Sequence, residues 1–350
     1  MQPIQNTHLY QEIHQQPDLI QKLVNDPNET ILALVDQIRS RGIKQVVIAA
    51  RGTSDNAGRY AQYILGAHNR MVVTLATPSL FTIYRQAPDL SNTLVVGISQ
   101  SGKSPDIVSV LEEGNLQGAL TAALTNYPNS DLGQAANIVM DLGAGEEVSL
   151  AATKTYTSQL ISLAILSAAL NPSEQFRQNL AKLPQQVAEI FALEDHVNQL
   201  VERYRYMTHC AVIGRGYNYA SAFEFSLKMK ELTYTIAEPY SSADFLHGPV
   251  ALVDRGFPVF VIAPSGKMTP EMKSTVEEVQ KRDAEVIILS DQPDLLHMSA
   301  HTLTLPGGVP EWLSPITAII PAQMFAMYLA NTRGIDVDNP RGLKKVTETW

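Results

Sequence analysis

Short apolar runs alternate with longer amphipathic stretches along most of this chain, and the alternation is drawn twice. In the first pass, near-continuous apolar runs around residues 45–50, 71–75, 93–98, 119–124 and 137–142 predict strands. Runs without polar alternation suit a parallel sheet covered on both faces, because a half-buried strand would alternate with period two. Between them, residues 54–67, 105–114 and 152–170 read as helices, the last following the loop Gly143-Ala-Gly-Glu-Glu147. In the second pass, strands are expected near 209–214, 258–263, 284–289 and 302–305, with a helix over 219–236. Residues 172–206 read as a connecting helix interrupted at Pro184.

The two passes share residues as well as pattern. Gln45-Val-Val-Ile-Ala-Ala-Arg51-Gly52 resembles His209-Cys-Ala-Val-Ile-Gly-Arg215-Gly216, an offset of 164 residues. Leu94 to Gly102 matches Pro258 to Gly266 at the same offset, and Ala122-Ala-Leu-Thr-Asn126 matches Val286 to Asp291 within one residue of it. A period this long means a duplicated domain and not a solenoid of small repeats. The expected fold is therefore α/β: two tandem doubly wound parallel-sheet domains from an internal duplication. The first spans 1–190 with an N-terminal helical segment, and the second spans 191–350 and ends in a C-terminal tail. In such sheets ligands sit outside the carboxyl ends of the strands, where the polar turns of this chain fall.

Composition narrows the class. The chain has 350 residues, enough for two domains, and is 45% hydrophobic and 17% charged, which describes a globular protein with ample core. A net charge of −9 disfavours a nucleic-acid footprint. The single cysteine, Cys210, allows no internal disulfide and suits a reducing compartment. The start has no secretory pattern, and the apolar segment 316–330, interrupted by Pro321, is too short to span a bilayer. A cytoplasmic protein without a membrane partner is expected.

The most informative segment is the turn after the third strand, with Ser99, Gln100, Ser101 and Ser104. It places three hydroxyls and a side-chain amide beside a helix start, where unpaired amides and the helix dipole favour an anion. A small phosphorylated ligand is the expected occupant; a serine N-cap without ligand explains the same residues. Arg51-Gly-Thr-Ser54 follows the first strand. Gly52 permits close approach, while Thr53 and Ser54 can either cap the helix or face a ligand.

In the second copy, Glu224, Lys228 and Glu231 share one helix face. They form either a solvated ion-pair ladder or a desolvated carboxylate poised as a base beside a lysine. His247 sits on a Gly-Pro turn and suits proton exchange near neutral pH. The tail carries Lys344 and Lys345, an amine source for a carbonyl if the segment closes over a sugar. No zinc-spaced Cys/His cluster, nucleophile elbow or dinucleotide fingerprint is present, so neither a metal nor an organic cofactor is expected.

Together these segments resemble the sugar isomerase (SIS) family in tandem, in the manner of the isomerase half of glucosamine-6-phosphate synthases. The likeness is carried by Arg51-Gly-Thr-Ser54, Ser99-Gln-Ser-Gly102, Glu147 with Ala151-Ala-Thr-Lys154, Lys228-Met-Lys-Glu231, His247-Gly-Pro249 and Pro340-Arg-Gly-Leu-Lys-Lys345. The resemblance implies that Ser99, Gln100, Ser101 and Ser104 bind the phosphate and that Gly52, Thr53, Ser54, Ala151 and Ala152 line the sugar site. It implies Glu231 as the base moving a proton between C1 and C2, with Lys228 beside it. His247 would assist ring opening across the interface of a homodimer, and Lys345 would be able to form a Schiff base with the open ketose. Three departures stand out: no glutaminase domain with a Met-Cys start, Lys103 in place of an acidic residue, and Ala152 in place of a hydroxyl residue.

The expected function is a phosphosugar aldose–ketose isomerase and deaminase, converting glucosamine 6-phosphate to fructose 6-phosphate and ammonia. A fructosamine-6-phosphate deglycase and a non-catalytic regulator that binds a sugar phosphate are the alternatives. The expected partner is a phosphorylated amino sugar or ketose.

Overall fold

The computed structural model describes residues 3–26 and 29–345. Among these residues ten strands form two five-stranded parallel sheets. The first sheet comprises β1 (Gln45–Ala49), β2 (Val72–Leu75), β3 (Thr93–Ile98), β4 (Leu120–Thr125) and β5 (Ile138–Asp141), in the order β2-β1-β3-β4-β5. The second comprises β6 (His209–Gly214), β7 (Ile236–Tyr240), β8 (Pro258–Ile262), β9 (Glu285–Ser290) and β10 (His301–Thr304). Its order, β7-β6-β8-β9-β10, repeats the first strand for strand. The duplication read from the sequence is thus a duplication of topology, and the fold is the expected pair of doubly wound domains.

Apolar continuity explains the central strands. Every residue of β3 and β4 is buried, because helices cover both faces of the sheet. On one face Val95 and Ala123 pack with Val110 and Leu111 of helix Pro105–Leu116. The second sheet repeats this with Val259, Val261 and Ile288 against Met272, Val276 and Val279 of helix Thr269–Gln280.

Contacts group the chain differently from its linear order. One compact unit holds Asp18–Glu147, Lys154–Ala181 and the tail from Lys344, and carries the first sheet. The other holds the residues up to Pro17, Val148–Thr153 and Lys182–Leu343, and carries the second. The amino-terminal helix His8–His14 joins the second-sheet unit because Leu9 and Ile13 are fully buried there. The backbone amides of His8 and Leu9 both donate to the Asp338 carboxylate at 2.9 Å.

Local differences from the sequence reading have identifiable causes. Helix Tyr219–Thr233 stops short of residue 236, because Tyr234 turns left-handed (φ 57°) and ends it. The residues beyond form β7, an edge strand that the periodicity did not reveal: Ile236 is exposed and Pro239 breaks the apolar run. Pro184 does not interrupt its helix. Glu174–Glu189 runs through it, and the break comes at the 3₁₀ turn Ile190–Leu193. Pro321 likewise lies inside one helix, Ser314–Thr332. No described helix is long and apolar enough to cross a membrane.

Candidate active site

Parallel sheets in this order reverse direction between β1 and β3, and the crevice outside their carboxyl ends is where ligands bind. β1 and β3 pair in register from Gln45↔Thr93 to Ala49↔Gly97, so the two polar turns leave the sheet side by side. At the first turn Arg51 is extended (φ −138°) and Gly52 takes φ 53°, a left-handed conformation that few side chains tolerate. Arg51 is the residue before helix Gly52–Asn69, so Thr53 and Ser54 already lie within it. Capping therefore does not account for their hydroxyls. Ser54 Oγ accepts a hydrogen bond from Gln159 Nε2 at 2.9 Å, and both side chains are buried.

At the second turn the backbone is held from within. Ser99 N–H donates to Leu124 O (3.1 Å), extending the β3–β4 ladder, and Ser99 Oγ accepts from Gly102 N–H (3.1 Å). The Gln100 carbonyl accepts from Asn126 N–H at 3.2 Å, and the Gly102 carbonyl from Leu132 N–H at 3.0 Å. Ser101 Oγ accepts from Lys103 N–H at 3.4 Å. Ser104 occupies the N-cap position of helix Pro105–Leu116, yet its side chain makes no capping bond. The purely structural explanation of that serine therefore loses its support.

Residues 97–104 also satisfy the G-x-x-x-x-G-K-S spacing of a nucleotide phosphate loop. The backbone differs from one. Gly97 is still inside β3, where a Cβ would press on Leu111 and Leu132, and the helix begins only at Pro105. The glycine serves strand–helix packing, and the turn that remains is a short one.

An ion pair ties the two turns together. Arg51 Nε donates to Asp106 Oδ2 at 2.8 Å; the aspartate is fully buried in the first turn of its helix, while the arginine side chain is half exposed. Neither residue was assigned a role from the sequence, although Arg51 opens the Arg51-Gly-Thr-Ser54 motif and stands at the place of Arg215 in the repeat.

The tail lysine is placed in this same unit. Lys345 Nζ lies 3.1 Å from Glu147 Oε2, and the glutamate side chain is fully buried. Glu147 also accepts from Thr155 N–H (3.1 Å) and Thr155 Oγ1 (2.7 Å), so it anchors the start of helix Lys154–Leu170 as well. Ala151 is fully buried and Ala152 half-buried, and both group with the second-sheet unit.

In that second unit, the face shared by Glu224, Lys228 and Glu231 is no solvated ladder. The Lys228 side chain is 1% exposed, Glu224 0% and Glu231 21%. Lys228 Nζ lies 2.5 Å from Glu231 Oε2 and 3.4 Å from Glu224 Oε1. Burial works against the ammonium, but the two carboxylates outweigh it and hold the Lys228 pKa above the ordinary lysine value. Of the two carboxylates only Glu231 reaches solvent. His247 is exposed and ends the short helix Ser242–Leu246; no described hydrogen bond joins it to Glu231.

The duplicate of the Ser99–Ser104 turn is closed by the chain's own carboxylates. Lys267 N–H and Met268 N–H donate to the two oxygens of Glu311, at 3.0 and 3.4 Å. Ser265 N–H donates to Asp291 at 2.6 Å, and its hydroxyl bonds the same carboxylate. Arg215, extended like Arg51 and followed by Gly216 at φ 61°, pairs with Glu271 near the start of helix Thr269–Gln280. The arginine–carboxylate tie thus survives in both copies. Among the described hydrogen bonds, none places a carboxylate on the amides of the first copy's turn.

Residues 41–169 and 207–333 each match the SIS domain. The chain belongs to the SIS family. It is 34% identical over 345 residues to the isomerizing glutamine–fructose-6-phosphate aminotransferase of Aquifex aeolicus, covering 96% of this chain and 57% of that protein. The SIS chain thus spans little more than half the length of that relative. The C-terminal domain of glucosamine-fructose-6-phosphate aminotransferase from Francisella tularensis superposes with a TM-score of 0.86 at 27% identity, covering 96% of this chain and 98% of that one. Glucosamine-6-phosphate deaminase from Thermotoga maritima shares the fold, with a TM-score of 0.76 at 20% identity over 98% of this chain and all of that one.

Proposed function

We propose that this SIS protein is a phosphosugar aldose–ketose isomerase that deaminates glucosamine 6-phosphate. The observation that carries the reading is the buried Glu224–Lys228–Glu231 cluster, which leaves a single carboxylate, Glu231, open to solvent beside a fixed ammonium. A regulator that merely grips a sugar phosphate has no need of such a cluster, because desolvating three charges is costly. The phosphate is assigned to the Ser99–Ser104 turn, where the N-cap hydroxyl is not spent on the helix.

In this reading the substrate ring opens with help from His247, exposing the C1 aldehyde. Glu231 takes the proton from C2 and returns it to C1, so the aldehyde becomes the C1 alcohol and the amine at C2 becomes an imine. Water adds to C2 and ammonia leaves, giving fructose 6-phosphate; general acid–base transfer suffices for each proton. Lys345, drawn into the first-sheet unit by Glu147, is assigned the amine that can engage the open-chain ketose.

Purified protein incubated with glucosamine 6-phosphate is expected to release ammonia and fructose 6-phosphate in equal amounts. Absence of both would remove the deaminase assignment. Release of free amine from fructosamine 6-phosphates alone would transfer it to the deglycase.

A further inference from the structure

A carboxylate buried at the start of a helix is well placed for the helix dipole and badly placed for an incoming phosphate. Asp106 is such a group: fully buried, in the first turn of helix Pro105–Leu116, two residues beyond Ser104. An anion at the Ser99–Ser104 turn meets its negative charge in surroundings where screening is weak. The turn itself offers hydroxyls, amides and one cation, Lys103, whose side chain is exposed to solvent and makes no described ion pair with Asp106, and the chain as a whole is acidic. The buried acid itself needs a cation in contact with it, and the structure supplies one. Arg51 donates to Asp106 from the neighbouring turn, and a guanidinium stays charged at every relevant pH.

The second copy shows the same arrangement with an anion in place. Lys267 and Met268 correspond to Lys103 and Ser104 at the repeat offset, and their amides hold the Glu311 carboxylate. There too an arginine from the preceding turn, Arg215, pairs with an acid near the helix start, Glu271. An anion on these amides therefore coexists with a neutralised acid beside it.

We infer that Arg51 is a positioning residue for the substrate phosphate: by neutralising Asp106 it makes the first turn able to accept a dianion. The inference rests on the reading that this turn binds the phosphate. It assigns Arg51 to affinity and not to the proton transfer.

The test is calorimetric titration of the full chain with glucitol 6-phosphate, which has no carbonyl to isomerise. Arg51→Met is expected to weaken binding about tenfold or more, the scale for leaving a charge uncovered beside a bound anion. Asp106→Asn should bind at least as tightly as the parent, and Arg51→Met/Asp106→Asn should return to near the parent affinity. In turnover, Arg51→Met should raise KM and leave kcat little changed. The inference is overturned if Arg51→Met binds like the parent. It is overturned equally if Asp106→Asn binds as weakly as Arg51→Met, which would make the pair a mechanical tie. A double variant as weak as Arg51→Met would mean that Arg51 acts on the ligand itself and would also overturn it. The Asn variants keep the test decisive if Arg51→Met alone does not fold. Failure of the parent to bind glucitol 6-phosphate at all would remove the phosphate reading, and the inference with it.

Discussion

Lys228 Nζ sits 2.5 Å from Glu231 Oε2, one helical turn away, with the lysine side chain buried and the glutamate at the edge of solvent. The fully buried Glu224 accepts the same ammonium from the other side. Removing the lysine strands a buried carboxylate, so Lys228→Met should destabilise the protein by about 3–5 kcal/mol. Urea unfolding measures this, and Lys228→Met/Glu224→Gln should recover a large part of the loss. Equal stability of the single and double variants would show that Glu224 does not depend on Lys228.

Glu231→Gln keeps the shape of the side chain and removes its basicity. Turnover of glucosamine 6-phosphate should fall by about 10²–10⁴-fold, the range for general acid–base groups, while glucitol 6-phosphate still binds. Retained turnover would take Glu231 out of the reaction.

Lys345 offers a chemical signature. Treating the protein with fructose 6-phosphate and borohydride should add the mass of the reduced ketose to the peptide carrying Lys345. Lys345→Arg should abolish the adduct. Label on another lysine would reassign the amine.

The pH dependence of stability has a local source at Glu194. Burial raises its pKa, but hydrogen bonds from Tyr328, His14 and Tyr10 outweigh that and hold it below the ordinary carboxylate range. A depressed folded-state pKa contributes stability above the unfolded value and loses it as pH falls through the folded one. The melting-temperature gap between the parent and Glu194→Gln should be full at neutral pH and narrow as the pH falls below the ordinary glutamate range. A gap unchanged at low pH would contradict the assignment.

Cys210 should be inert in the native protein. Burial pushes its thiol up to about 12, and the side chain lies within β6. Ellman's reagent at pH 8 should react only after denaturant is added; rapid native reaction would show that β6 opens.

Much of this was legible in the chain. Nine of the ten described strands announced themselves, the six interior ones because parallel strands covered on both faces must be apolar throughout. β7 did not, because Glu238 and Pro239 break its apolar run and Ile236 is exposed at the sheet edge. The candidate residues were found through their motifs, whose spacing is local. The ties that give them context were not. Lys345 and Glu147 lie 198 positions apart, and Arg51 and Asp106 are 55 apart. Pairings at such distances leave no periodic trace.

The residue order alone specified two copies of one parallel sheet and the polar turns at their carboxyl ends, since periodicity and repetition are written along the chain. Whether a charged triplet is solvated or buried, and whether a serine caps its helix, depends on what packs against it from elsewhere. So does whether a duplicated turn is closed by its own carboxylate. Those are matters of three-dimensional burial and through-space charge. They separate the first turn, whose amides no carboxylate among the described residues holds, from the second, which Glu311 and Asp291 fill.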